Sequence, residues 1–266
     1  MIRAFFSAIA FLTIIPVPAG LKSDRENAML GGYPAAGFVI GCLLSVLYFL
    51  AGLVFSDQLA AIVLVGGSLG LTGAIHLDGL ADCADAFYGR RDRESTLRIL
   101  KDPRIGTMGG AAIGLSLLTR YAAIASLSTP VVLLALPILS AFSRTLVLAA
   151  LWFLPYARPT GGIMSPGPGQ PTRRPTGLLI LAGVVVLVVV ILLPLPAVIA
   201  VAALAGFWRL SWKRIGGCTG DVLGASIEIA EIVFLAALAA LDHSRVSVGA
   251  FYPLAALIFP NVALGS

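Results

Sequence analysis

Residues 73–91, GAIHLDGLADCADAFYGRR, place Asp78, Asp82 and Asp85 at i, i+4 and i+7 in a chain that is otherwise largely apolar. On an α-helix this spacing confines the three carboxylates to an arc of roughly 40–60°. Leu77, Leu80, Ala81, Cys83, Ala84 and Phe87 cover the other faces, so the segment predicts a packed helix with one acidic stripe. Two carboxylates about 5 Å apart repel by roughly 3 kcal/mol at an effective dielectric near 20. A cation relieves that repulsion, and hard oxygen donors without a neighbouring His or Cys pair suit Mg²⁺, with Mn²⁺ as the substitute. The competing structural reading is a helix cap at Asp78, or pairing of the stripe with Arg90, Arg91 or Arg93 on a solvated face. His76 stands roughly 160° from the stripe if the helix includes it, which fits proton transfer better than a place on the same ion.

Two further segments carry polar chemistry. RILKDPRIGTMGG, residues 98–110, offers Lys101, Asp102 and Arg104 before a glycine-bearing turn. That composition suits a phosphate-binding loop, because guanidinium forks and backbone N–H groups both receive phosphate oxygens. RIGGCTGDVLGASIEIAE, residues 214–231, sets Asp221, Glu228 and Glu231 on one stripe with Gly224 and Ala225 between them. Asp221, following Gly216, Gly217 and Gly220, reads as a fourth metal or substrate contact. Glu228 and Glu231 fall about 9 and 14 Å into the next apolar span. Arg120 and Arg144 lie at comparable depths in theirs, so pairing across helices is expected. Unpaired charges there cost about 2.5–3.5 kcal/mol each, which makes all four functional candidates as well. Arg90, Arg91, Arg144, Arg158 and Thr219 are the expected contacts to an anionic substrate.

The elements that must position these residues follow from composition. Apolar residues make up 59% of the 266 and charged residues only 12%, which identifies an integral membrane protein. Apolar windows fall near 35–55, 59–76, 109–127, 130–152, 177–193, 196–208 and 222–241. The expected fold is therefore an all-α, polytopic helical bundle of roughly six to eight spans, forming one domain over 1–266. The sixth window is short, with Pro194 and Pro196 at its start, and 248–264 is either a further span or a surface segment. Within that domain 1–34 is an N-terminal segment, 77–108 the acidic and basic catalytic segment, and 155–177 a Pro/Gly-rich loop. The opening helix reads as a retained interfacial helix ended by Pro16 and Pro18, the alternative being a cleaved signal peptide. The loop reads as a linker; as a lid, it would bring Arg158, Arg173 and Arg174 to the substrate.

Fifteen of the eighteen basic residues cluster at 3–25, 90–104, 158–174 and 209–214, whereas the connections near 56–58, 128–130 and 194–196 have none. These two sets alternate across the spans, so the positive-inside rule places the aspartate segment on the cytoplasmic side of a prokaryotic inner membrane. The net charge of +5 is explained by this topology and by phosphate-bearing partners, and no nucleic-acid motif is present. The three cysteines have no CxxC spacing and suggest neither a disulfide framework nor a zinc site. A homo-oligomer is open to such a chain, though no residue pattern specifies one.

HLDGLADCADAFYG, LKDPRIGTMGG, RIGGCTGDVLGA and the opening FLTIIPVP together resemble the adenosylcobinamide-GDP ribazoletransferase family, also called cobalamin (5′-phosphate) synthase. The resemblance implies an Mg²⁺-dependent membrane enzyme that joins α-ribazole, or its 5′-phosphate, to adenosylcobinamide-GDP and releases GMP. On that reading Asp78, Asp82, Asp85 and Asp221 hold the metal, and His76, Asp82, Lys101, Asp102 and Arg104 carry the catalysis. A CDP-alcohol phosphotransferase would also use aspartates at helix ends, but Asp82 follows Ala81 where that motif has Arg, and its later aspartates are missing. A transporter would use Arg120, Arg144, Glu228 and Glu231 as a midplane pathway. The charge asymmetry predicts that a cysteine at residue 92 is protected from an impermeant thiol reagent in intact cells and one at residue 57 is labelled. The opposite pattern would invert the topology.

Overall fold

The apolar windows become helices in the computed structural model, which describes residues 2–23, 26–89, 91–158 and 176–243. In chain order they are α1 (Ile2–Leu12), α2 (Tyr33–Gly52), α3 (Asp57–Thr72), α4 (Ile75–Tyr88), α5 (Arg93–Ile99), α6 (Thr107–Ser126), α7 (Thr129–Phe153), α8 (Thr176–Leu192), α9 (Pro194–Ile215) and α10 (Gly220–His243). Among the described residues there is no strand, only an isolated bridge between Tyr156 and Cys218. Residues 159–175, the bulk of the Pro/Gly-rich loop with Arg173 and Arg174, lie outside the described residues, as do Arg90 and the tail from 244.

Five helical stretches among the described residues are long and apolar enough to cross a bilayer: Met29–Gly52, α6, α7, α9 and Gly220–Asp242. The bent pair of α3 and α4 makes a sixth, at the lower end of the expected number. Three windows differ from expectation, the one at 177–193 because its apolar helix among the described residues, Ala182–Leu192, is shorter than a span. Pro194 and Pro196 do not shorten the sixth; they stand in the first turn of α9, where a missing N–H costs nothing, and the helix runs for 22 residues. The window at 59–76 is broken near its end, because Gly73 and Ala74 both adopt left-handed backbone, with φ of 61° and 56°. Glycine adopts that conformation freely, whereas alanine does so at a cost of roughly 1–2 kcal/mol. Together the two residues turn the chain by 89° and start α4 just ahead of His76.

Small residues set the closest approaches. Gly37 and Gly41, one turn apart on α2, lie against the α7 backbone at Ser140 and Leu136, where any Cβ would overlap it. This is the small-xxx-small packing by which membrane helices gain contact without a hydrophobic drive. The Ser45 hydroxyl adds a hydrogen bond of 2.9 Å to the Leu133 carbonyl across the same interface. On α1, Ala8 and Leu12 are buried and the helix docks on the turn at Glu26–Gly32, so the N-terminal segment is a packed part of the fold.

The expected pairing of intramembrane charges is present and couples three helices. Arg120 of α6 donates to Glu228 at 2.7 Å and to Glu231 at 2.8 Å, both on α10. Arg144 of α7 pairs with Glu231, while Ser116 and Ser143 donate to Glu228 and Glu231 at 2.7 and 3.0 Å. All four charged side chains are buried. Removing one partner of such a pair strands a buried charge, at about 3–5 kcal/mol. Arg144→Ala is therefore expected to lower yield and melting temperature in detergent sharply, whereas Arg173→Ala leaves both unchanged. Equal yields and melting temperatures would show that the network contributes no stability.

Candidate active site

The acidic stripe forms as the spacing predicts, on α4, and a second helix is brought against it by two glycines. A Cβ on Gly79 would stand 2.7 Å from the Asp221 carbonyl oxygen, and one on Gly224 would stand 3.3 Å from that of Ile75. Without them α4 and α10 meet at backbone distance, which sets Asp78 and Asp82 beside Asp221. Asp82 lies in the field of Asp78, Asp221 and Asp85, with Arg158 as the cation within reach. Asp221 is held from two sides: the Thr219 hydroxyl donates to its Oδ2 at 3.1 Å, and Arg158 Nη2 stands 3.5 Å from the same oxygen.

The third aspartate of the stripe does something different. Asp85 accepts the backbone N–H of Gly106 at 2.6 Å and that of Gly109 at 2.9 Å. It thereby caps α6 from another helix, satisfying donors that a helix start leaves open. Its carboxylate fixes the glycine turn in place, while Asp78 and Asp82 carry no such load. Thr219, expected to touch substrate, is fully buried. Its hydroxyl also receives the Val222 N–H at 3.4 Å, so it caps α10 and positions Asp221.

The basic residues sort by partner. Arg158 is the guanidinium at the carboxylates, and it also donates to the Leu100 carbonyl at 3.4 Å. Arg91 donates to the Asp85 carbonyl at 2.9 Å, next to the stripe. Arg144, expected at the substrate, is instead committed to Glu231 within the bundle. Lys101 and Arg104 are exposed, and Arg104 forms a two-pronged pair with Asp102 at 2.9 and 2.7 Å. The Arg104 guanidinium pulls the Asp102 carboxyl down to about 2, which makes Asp102 a weak proton acceptor.

Sequence reasoning missed several positioning residues. Arg93, read only as a pairing partner, donates to the Ile215 carbonyl at 2.9 Å and to that of Ala157 at 2.7 Å. With the Ala157 N–H to Cys218 and the Cys218 N–H to Pro155, at 2.8 and 2.9 Å, it clips the segment carrying Arg158 onto the start of α10. Arg214 ties α9 to the Gly89 carbonyl at 2.8 Å. Gly216, in the left-handed region at φ 75°, ends α9 and allows that junction. These contacts are between loops distant in sequence, and no local spacing announces them.

Beneath Asp78 and Asp221 lies a cavity of about 170 Å³, walled by α1, α2, α4, α7 and α10. Tyr33 and His76 line it, and the Tyr33 hydroxyl and His76 Nε2 are buried without a hydrogen-bond partner. Cys83 and Cys218 are buried and unpaired, as packing residues.

Among the described residues no three His, Cys, Asp or Glu side chains converge closely enough to enclose an ion by themselves. A divalent ion here would have to complete its shell with water and substrate oxygens, as Mg²⁺ does where it takes one or two carboxylates together with substrate phosphates. The carboxylates of Asp78, Asp82 and Asp221 are hard oxygen donors of the kind Mg²⁺ and Mn²⁺ take, and His76 lines the same cavity as Asp78 and Asp221.

Residues 4–239 match the family described as cobalamin-5-phosphate synthase. An adenosylcobinamide-GDP ribazoletransferase from Chlorobium phaeobacteroides (strain BS1) is 39% identical over 242 residues, covering 87% of this chain and 95% of that protein. Proteins of the same name from Sinorhizobium medicae (strain WSM419) and Clostridium novyi (strain NT) are 37% and 32% identical, covering 87% and 86% of this chain and 94% of each relative. No solved structure matches it. With near-complete coverage in both directions, and with the acidic stripe, the glycine turn and the start of α10 all inside the matched region, the chain belongs to the cobalamin-5-phosphate synthase family.

Proposed function

We propose that the chain transfers α-ribazole, or its 5′-phosphate, to adenosylcobinamide-GDP, giving adenosylcobalamin or its 5′-phosphate and GMP. The observation that carries the reading is the meeting of Asp78 and Asp82 with Asp221 and Arg158 at one end of the bundle, at the mouth of a cavity. The name shared by these relatives supports the substrate pair. The positive-inside asymmetry supports a cytoplasmic position for this end, where nucleotide substrates are found, in the inner membrane of a prokaryote.

In this reaction a sugar hydroxyl of the acceptor attacks the phosphorus attached to the cobinamide. A new P–O bond forms, the bond from that phosphorus to the bridging oxygen breaks, and GMP leaves with the electron pair. Asp78, Asp82 and Asp221 would hold Mg²⁺, or Mn²⁺ in its place, which when bound offsets the charge of the diphosphate. Arg158 supplies a fixed guanidinium beside the same oxygens, and Arg91, Lys101 and Arg104 add positive potential at the approach. Asp85 holds the glycine turn at residues 106–109 so that it faces the carboxylates. The proton of the attacking hydroxyl passes to His76, which lines the cavity and whose Nε2 is unpartnered, or to a carboxylate of the stripe.

Purified protein is expected to release GMP from adenosylcobinamide-GDP only when the acceptor and a divalent cation are both present, and chelation should abolish turnover until Mg²⁺ is restored. Asp82→Asn keeps size and helical position but removes a charge. It should lower turnover by at least about a hundredfold, with normal membrane insertion. Asp92→Asn alters the cap of α5, where Asn serves as well as Asp, and should leave turnover nearly unchanged. Wild-type turnover and metal dependence in both Asp82→Asn and Asp221→Asn would remove the metal site from the mechanism.

A further inference from the structure

We infer that the cavity beneath Asp78 and Asp221 seats the aromatic base of the acceptor nucleoside, with the Tyr33 hydroxyl as the polar contact of the base and His76 Nε2 as that of its sugar. The inference rests on the transferase reading above and goes beyond it by assigning a subsite and a residue, Tyr33, that the motifs do not include.

Three observations converge. Tyr33 and His76 both line the cavity, are 1% and 6% exposed, and each carries a buried polar atom without a hydrogen-bond partner; His76 also borders the small space beside Arg120, Arg144, Glu228 and Glu231. Buried polar atoms are almost always paired, so two orphans lining one cavity point to a ligand that pairs them. The remaining wall is apolar: Phe11, Leu12, Val147, Leu223 and Ile227 line it, and Phe11 stacks on Tyr33 with ring centroids 6.4 Å apart at 21°. At about 170 Å³ the space exceeds a cavity of roughly 150 Å³ that accepts benzene, so it suits a small fused ring whose sugar projects from the mouth.

The chemistry of the two orphans selects among the ring systems present in the reaction. A benzimidazole joined to ribose has one unsubstituted ring nitrogen, an acceptor that the Tyr33 O–H can meet, and otherwise apolar edges. His76 Nε2 then accepts from a sugar hydroxyl. Guanine carries donors and acceptors along most of its edge, and two polar atoms in an apolar chamber would leave most of them unpaired. The corrin is far too large. A lipid acyl chain would fill the space but leave both orphans as they are. With the base in the chamber, the ribose stands at Asp78 and Asp221, where the phosphorus is expected.

The test uses the full chain in lipid nanodiscs with adenosylcobinamide-GDP as donor and α-ribazole as acceptor. Tyr33→Phe should raise KM for α-ribazole about tenfold while the donor KM stays within about twofold. Wild type should show a similar loss with an indole riboside, which has a C–H in place of the ring nitrogen, and Tyr33→Phe should add nothing to that loss. Val147→Phe, which fills the chamber, should also raise the acceptor KM. An unchanged acceptor KM in both variants, or a donor KM that rises in step, overturns the inference. If a variant does not insert, the wild-type comparison of the two ribosides decides, and equal KM values overturn it. If wild type releases no GMP under any condition, the transferase reading itself fails. Calorimetric titration of α-ribazole then judges the chamber separately: binding that Tyr33→Phe weakens about tenfold supports it, and no binding to wild type overturns it.

Discussion

Charge buried within a membrane must find a partner, and the group formed by Arg120, Arg144, Glu228 and Glu231 meets that requirement across α6, α7 and α10. An ion pair of this kind gains little net stability over an apolar filling of the same space. What it enforces is register. The two glutamates are themselves nearly one turn apart, so a slide of α10 by one turn would carry at least one of them away from its arginine and strand a charge in an apolar medium. Since α4 lies along α10 and α6 starts under Asp85, the positions of the stripe, the glycine turn and Asp221 all follow from that register.

Glycine does the complementary work near the site. The network fixes how far along one another the helices stand; Gly79 and Gly224 fix how close α4 and α10 come. Backbone-distance packing is needed because aspartate is short: a larger residue at either position would push Asp78 and Asp82 out of range of Asp221. The carboxylates are then gathered by helices whose placement was decided deeper in the bundle. Their mutual repulsion acts on a scaffold already locked by contacts that do not involve them.

Much of this was legible in the sequence, and the limit has a physical reason. The stripe of Asp78, Asp82 and Asp85 and the depth of Glu228 and Glu231 follow from helical periodicity, which is local. The pairing of these glutamates with Arg120 and Arg144 follows from solvation cost alone. The break at Gly73 and Ala74 was hidden because alanine does not advertise left-handed backbone. The separate role of Asp85 depends on two N–H groups more than twenty residues away, and Arg93 serves carbonyls farther still. Thr219 and Arg144 were read as substrate contacts because their types suit that role; the structure assigns their donors to Asp221 and Glu231. Such assignments depend on which long-range partner arrives, and composition does not encode that.

The buried group has one more property, seen when the bilayer carries a voltage. Two arginines and two glutamates sum to zero, so a transmembrane potential does no net work in moving them together. A single unbalanced charge crossing the full field would be worth about 2.3 kcal/mol per 100 mV. The bundle is thus electrically silent at its centre. The potential therefore supplies no net force on this group that would change the register of α10 against α6 and α7.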